Sequence, residues 1–420
     1  MPRSMGRSRR HYYRDRSRAR AILKTFAVLA VVVVLGVIAW VVAALTSSPG
    51  TPSLALTVAP EQTAPGAPLR LTAPPGVQEV VGLDGLGTMA EAGVEQPHPI
   101  ASMTKMMAAL VVLRDHPLSP YSNGPEIQVT PADVATYQSD KRQGDSVVPV
   151  VAGEKLTERQ ALEAALIPSG DNIVEMLADW DAGSVPAFVA KMNAMARSLG
   201  LAHTHYAGPS GVNPATVSTA HDQLVVAEAA MRIPAFAHIV AMPQATLPVA
   251  GVVYNVDSDL GHANIDGIKT GWIPASGACF AFSAPEKVSG YQVRLTGVVI
   301  GEQGGTPLAS ALAAAVQIVT SASKALRVVT VPAGTTVARL SAPWSHSIRV
   351  VTTSLIRLVA WNGARLDMRL TPLHRLPSTL SRGAVVGTLT VQIGQARMVT
   401  RIETTAPLQG PSLGWRLSHP

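Results

Sequence analysis

Ser102 and Lys105, three residues apart, carry the first chemistry in this 420-residue chain. Residues three apart on a helix share a face, so the amine stands one turn beyond the hydroxyl and is placed to take its proton. A lysine is protonated at neutral pH and becomes a base only where burial or a neighbouring positive charge favours its neutral form. Lys269, in Lys269-Thr270-Gly271, is a source of such charge. Between them lies Ser169-Gly170-Asp171, a second hydroxyl with a carboxylate two residues on. Spacing alone does not single out the first pair, because Ser321-Ala322-Ser323-Lys324 repeats it with no partner motif downstream. Ser102 differs in having two further polar motifs behind it, in order.

In that order the three motifs resemble the active site of penicillin-recognising serine DD-peptidases. The likeness is to low-molecular-weight penicillin-binding proteins, the serine-type D-alanyl-D-alanine carboxypeptidases, and it extends beyond the motifs. It includes PIASMTK at 99–105 and LTERQALEAALIPSGDN at 156–172. Met192-Asn193, Leu199-Gly200, Thr204-His205-Tyr206 and Pro209-Ser210-Gly211 follow, then IDGIKTGWIPASGACF at 265–280, so that the matches cover most of residues 75–325. The resemblance implies an α/β (α+β) penicillin-recognising serine-transferase, β-lactamase-like domain followed by a small all-β domain. It also implies acyl transfer to peptidoglycan stem peptides. Ser102 attacks the D-Ala-D-Ala bond, Lys105 takes its proton, Ser169 relays a proton to the leaving amine and Lys269 supplies positive charge. Backbone N–H groups of Ser102 and Trp272 form the oxyanion hole. Thr270 holds the substrate carboxylate, with Gly271, Asp171 and Asn172 counted among the substrate-binding positions. β-Lactams trap the acyl-enzyme, and no metal or cofactor takes part.

Two positions depart from the family's pattern. Its middle motif reads serine, any residue, asparagine, whereas here the third place is Asp171 and the asparagine follows as Asn172. Asp171 either faces the pocket and pairs with Lys105 or Lys269, or one of these two residues caps the helix starting near Ile173. The second departure is the stretch Ile300 to Thr306, IGEQGGT, which lacks the arginine that in relatives helps hold the substrate carboxylate. The acids between Asp171 and Lys269 show no pattern of a deacylating glutamate, which points away from rapid β-lactam turnover. The remaining alternatives are a DD-endopeptidase acting on cross-links and a wall-binding homologue without activity.

The elements that position these residues are legible in outline. Thr25 to Leu45 is 21 residues without a charge, enough to span a bilayer. Residues 1–24 carry +8 of the chain's net +7, leaving −1 for the rest, so the basic character is a positive-inside flank and not a nucleic-acid footprint. The expected order is a cytoplasmic tail (1–24), a single membrane pass (25–45), a Ser/Thr/Pro/Gly-rich linker (46–68), an extracytoplasmic catalytic domain (69–326) and a β-rich domain (327–420). Within the catalytic domain, a strand pair is expected around 77–89 and a capping box at Thr157 and Gln160. Helices are expected at 191–199, 222–232 and 308–326, with an edge strand entered at Asp266–Thr270 and neighboured by 291–300. Met103, Met106, Met107, Leu110 and Val111 are core positions of the nucleophile helix. Period-two segments follow from 328 to 402, with Asn362-Gly363 as a hairpin turn. The ending, Gly414 to Pro420, is too short for the membrane-binding helix that closes many relatives, so the N-terminal helix takes over anchoring. The lone cysteine, Cys279, reads as a small buried hydrophobe, and His203 and His205 lack a second cluster with ligand spacing.

Overall fold

The computed structural model describes residues 8–419, so the basic residues Arg3 and Arg7 lie outside it. A helix spans Ser8–Thr46, and its stretch from Arg18 onward is long and apolar enough to cross a membrane. Its valines and leucines, Val31 to Leu35 among them, face outward with no protein against them. Pro307–Ala325 passes the same test of length and composition. That helix instead buries Ala311, Ala315, Ile318, Val319 and Ala322 against a sheet, which makes it a core helix.

The sheet it covers is antiparallel, with strands in the order Ile268–Ile273, Gly277–Val288, Tyr291–Glu302, Gln78–Leu83 and Gly87–Ala92. Alternation sorts its side chains to two cores. Cys279, Ala281, Val298 and Ile300 face a helical cluster, whereas Phe280, Phe282 and Val299 face Pro307–Ala325. The helical cluster surrounds Thr104–Asp115, whose residues Thr104 to Leu113 are all buried, including four of the five anticipated core positions, and the fifth, Met103, is buried in the turn before it. Around it stand Glu158–Leu166, Asp171–Ala182, Val185–Ser198, Ala220–Met231 and Pro234–Val240. The capping box at Thr157 and Gln160 forms as expected. The edge strand Ile268–Ile273 has Gly277–Val288 as its neighbour, not 291–300. The Pro274-Ala275-Ser276-Gly277 segment turns the chain straight back, with Gly277 at φ 62°, and inserts a whole strand between the two expected partners.

The second part is a seven-stranded antiparallel sheet, and here the linker expectation needs correction. Ser53–Leu56 pairs with Thr336–Ala342 at one edge, and Glu61–Thr63 pairs with Arg365–Pro372 at the other. Leu54 and Leu56 turn inward between Ser53 and Ala55, so period two won over a composition that reads as a spacer. Deleting residues 1–68 is expected to destabilise this sheet by about 2–4 kcal/mol through lost apolar burial, whereas deleting 1–46 leaves it intact. Thermal unfolding of the two truncations distinguishes them. The Asn362-Gly363 turn forms, with Ala364 N–H donating to Trp361 O, but it makes no hairpin. Ile356–Trp361 pairs instead with Leu326–Val331, while Arg365–Pro372 enters the large sheet. Asn362 N–H donates to Ala325 and Gly363 N–H to Ala64, so tertiary partners take the bonds that a hairpin would use.

Candidate active site

Ser102 sits in a short 3-10 turn, Ala101–Met103, that feeds directly into the buried helix Thr104–Asp115. Ala101 is held at φ 45° and Ser169 at φ 67°, left-handed conformations that L-residues adopt at a cost. Surrounding structure enforces the first of these. Gly211, at φ 87°, lies so close that a Cβ there would meet Ala101 O at 1.9 Å. A Cβ on Gly271 would meet Ser102 N at 2.9 Å and Met103 N at 3.1 Å. The strand bearing Lys269 is therefore pressed against the nucleophile turn, and glycine permits the approach. Gly271→Ala is expected to displace Ser102 and slow acylation roughly tenfold to a hundredfold, since misplacement of about an ångström has that effect. Stopped-flow acylation by a chromogenic β-lactam checks it, with a melting curve to show that the fold is retained.

Ser102 is the partly exposed residue in a buried run. Lys105 Nζ donates to Ser102 Oγ at 2.8 Å, to Asp171 Oδ1 at 2.6 Å and to Ser210 O at 3.0 Å, the full donor complement of an ammonium. Lys105 and Asp171 are thus a buried ion pair. Asp171 is the first residue of its helix, but Gly170 occupies the cap position and no side chain caps. The other carboxylate oxygen, Oδ2, accepts from Ser146 N–H at 3.1 Å. Of the two openings left by the sequence, Asp171 takes the one facing the pocket. Asn172 does neither job expected of it. Its amide accepts from Val148 N–H and donates to Val148 O, buried at 2% exposure, so it clamps the loop before it.

Lys269 is buried, with its pKa lowered to about 7 by desolvation first and by the charge of Lys105 second, against the opposing pull of Asp171 and Asp257. Its Nζ donates to Thr270 O at 3.0 Å. Burial likewise lifts the Asp257 carboxyl to about 6. Ser283 N–H donates to Gly267 O, which makes 267 and 283 a hydrogen-bonded pair of the antiparallel ladder. Alternation then assigns 269, 271 and 273 to the ladder and leaves the N–H groups of Thr270 and Trp272 on the open edge. Trp272 is 54% exposed beside Ser102's turn. Cys279, opposite Gly271 in register, is fully buried and its thiol is pushed up to about 12 by desolvation, as suits a packing residue.

The structure therefore brings Ser102, Lys105 and Asp171 into direct contact. Among the described residues, Ser169 and Lys269 flank that trio without hydrogen-bonding to it. In the stretch 300–306, Glu302 is mostly buried and pairs with Ala278. Arg294, earlier in the same strand, is engaged by Asp266 and Ser283. Two contributors escaped sequence reasoning: the Ser210 carbonyl and the Ser146–Val148 backbone. Both act through main-chain atoms, for which the side-chain sequence carries no signal, although Ser210 stood in a stretch already singled out.

A nucleophilic hydroxyl held by a buried amine, an open strand edge with free N–H groups and a mixed helical and antiparallel core together define a serine-type acyl-transfer hydrolase of the penicillin-recognising, β-lactamase-like fold. The chain belongs to the D-alanyl-D-alanine carboxypeptidase family: the peptidase S11 model of that description matches residues 87–304. It is 34% identical over 212 residues to D-alanyl-D-alanine carboxypeptidase DacB2 of Mycobacterium tuberculosis, a match covering 49% of this chain and 68% of that protein. D-alanyl-D-alanine carboxypeptidase DacD of Salmonella typhimurium is 31% identical over 224 residues, covering 51% of this chain and 55% of that protein. The chain thus spans between about half and two thirds of the length of these two relatives. In fold it is similar to the carboxypeptidase DacD of Francisella tularensis, with a TM-score of 0.59 at 19% identity over 83% of this chain and 97% of that one. Penicillin-binding protein 5 of Haemophilus influenzae gives 0.57 at 19% identity over 80% and 98%.

Proposed function

We propose that this enzyme removes the terminal D-alanine of peptidoglycan stem peptides through an acyl-enzyme on Ser102. The observation that carries the reading is the 2.8 Å contact between the Ser102 hydroxyl and the buried Lys105 amine. Lys105 first releases a proton to solvent; Ser102 Oγ then attacks the carbonyl of the D-Ala-D-Ala bond and its own proton passes to the freed Lys105 amine. Ser169 relays a proton to the leaving D-alanine. Lys269 and Thr270 hold the free carboxylate, and the N–H groups of Ser102 and Trp272 receive the developing oxyanion. Water then releases the shortened peptide, and β-lactams acylate the same serine.

Asp171 is where this site is tuned. As a carboxylate it has no N–H to offer a substrate carbonyl, and as the ion-pair partner of Lys105 it engages one of that amine's donors at 2.6 Å. Asp171→Asn is expected to speed acylation by about tenfold, because removing one charge-assisted hydrogen bond of about 1.5 kcal/mol loosens the hold on the Lys105 amine. Acylation rates of the two proteins with one chromogenic β-lactam check it.

D-Alanine release from a pentapeptide ending in D-Ala-D-Ala tests the function. Release from that substrate and not from cross-linked dimers supports trimming; the reverse supports the endopeptidase reading, which two relatives' names keep open, those of Pseudomonas aeruginosa and Escherichia coli. The N-terminal helix anchors the enzyme as a single pass with residues 1–24 cytoplasmic, a reading supported by its apolar exposed surface and its basic flank. Protease protection of the N-terminal tail in sealed cells, with the catalytic part cleaved, is the expected topology.

A further inference from the structure

The charge of this chain is divided along its length in a way that acyl transfer does not use. Residues 327–420 contain eleven arginines, no lysine and two acids, Asp367 and Glu403, for a formal +9. With +8 in the first 24 residues, the intervening 25–326 is left at −10. Six of the eleven stand on the outer side of the seven-stranded sheet. In the seven-stranded sheet, the inward positions are Ala338, Leu340, Ile348, Val350, Leu366, Met368, Leu389, Val391 and Ile402. Alternation therefore turns Arg339, Arg349, Arg365, Arg369, Arg397 and Arg401 outward, and all six are exposed. Arg365 is held by Glu61 and Asp367. Among the described residues the other five make no ion pair, and Arg339 and Arg349 lie directly opposite each other in register. Like charges placed so are destabilising, an arrangement that bound anions would relieve.

The arginines run the length of the sheet. At one end Trp344 donates to Gln409 O and packs edge-on against Trp415, while Arg416 donates to Leu45 O at the end of the long N-terminal helix. At the other end Gly394 abuts Leu86, in the turn between the strands Gln78–Leu83 and Gly87–Ala92. The strands thus run between the N-terminal helix and the catalytic part. Arg397 and Arg401, four residues apart, are separated by about 13 Å along that direction, as are Arg365 and Arg369. A groove of about 620 Å³ opens on the same side, lined by Arg365, Arg369 and Arg397 with Thr371, Thr390 and Gln392, and by Glu61 and Asp367, whose carboxylates are taken up by Arg365.

We infer that this sheet face is a docking surface for a linear phosphodiester polyanion of the cell envelope, held alongside the enzyme. The use of arginine throughout matches the planar fork to phosphate oxygens, and the groove admits a single extended chain with hydroxyls for Thr371, Thr390 and Gln392 to bond. A bilayer surface would meet one end of such a ladder and leave the rest unused.

The test uses the full chain in nanodiscs of zwitterionic lipid and a short fluorescent poly(glycerol phosphate). Anisotropy should report binding whose log K falls linearly with log salt, losing roughly tenfold or more between about 50 and about 200 mM. The combined Arg349→Gln, Arg369→Gln, Arg397→Gln and Arg401→Gln variant should lose that binding while acylating with penicillin at the unchanged rate, which shows the catalytic part folded. The variant changing only Arg349 and Arg401 should retain weaker binding with about two thirds of the salt slope, since the slope scales with the contacts made. Equal binding by wild type and the four-site variant overturns the proposal. So does absence of polymer binding, whether the same arginines are needed instead for anionic phospholipid vesicles or for salt-sensitive self-association through the acidic catalytic part.

Discussion

Ser102→Ala lowers D-alanine release by on the order of 10⁴-fold or more, the scale on which loss of a nucleophile is felt. The fold should be untouched. Ser102 is the partly exposed residue of a buried run, its hydroxyl accepts from Lys105, and Lys105 keeps Asp171 and Ser210 O as partners when that hydroxyl is gone. No charge is left buried and unpaired by the change, so the melting temperature should stay near that of the wild type. Release measured by D-amino-acid oxidase coupling, with a melting curve beside it, separates lost chemistry from lost structure. Retained release would remove Ser102 from the mechanism.

Lys269→Met should move activity and stability in opposite directions. Activity falls about 10²–10³-fold, the usual scale for removing one preorganised electrostatic contact. Stability rises. The amine has a pKa of about 7 in the fold against an ordinary 10.5, so between those values the unfolded chain holds a proton that the folded chain has released. Stability from this group is therefore fully present above the unfolded value and is lost as pH falls toward 7. Near neutral pH the wild type forgoes a few kcal/mol, at about 1.4 kcal/mol for each pH unit separating the folded and unfolded titrations. Methionine of similar length removes that penalty, so the variant's advantage in denaturant should be largest near pH 7 and fade toward pH 10.5. The same titration predicts that binding of a carboxylate-bearing substrate weakens as pH rises through about 7, where Lys269 loses its charge. A variant less stable than wild type at pH 7, or a binding profile flat across that range, would contradict the assignment.

How far the sequence led depended on whether an interaction is carried by side chains or by backbone. The structure brings Ser102 and Lys105 together at 2.8 Å and buries Lys269 where the charge of Lys105 acts on it, a proximity the three motifs suggest because helical spacing and strand entry are local rules. The Ser102–Lys105 contact is compatible with three-residue spacing, but the motifs downstream were needed to tell it from Ser321 and Lys324. Asp171 stayed open because capping and pocket-facing draw on the same residue type, and the tie was broken by a partner 66 residues away, Lys105. Asn172 reads as substrate-binding in the sequence since nothing in residues 144–150 announces that Val148 occupies its amide. The strand Gly277–Val288 is half visible there, as an apolar run whose pairing depends on a turn at Gly277 that composition marks only weakly. The segment from Ser53 to Thr63 misleads for the opposite reason: proline and glycine around short apolar alternation read as spacer until a sheet with two open edges is present to receive it. The seven later β segments were legible because period two recurs there, but not their sharing between a large sheet and a separate pair.

The most direct measurement is peptide mapping by mass spectrometry after the full-length protein has been incubated with penicillin. The structure predicts a single penicilloyl adduct, on Ser102, because among the described residues only that serine is held by a buried amine, at 2.8 Å. Ser321, which shares its three-residue spacing to a lysine, and the neighbouring Ser323 lie in the core helix Pro307–Ala325 and should remain unmodified. An adduct on either of those serines, or no adduct and no penicillin consumed, would contradict the claim that Ser102 and Lys105 form a working acyl-transfer site.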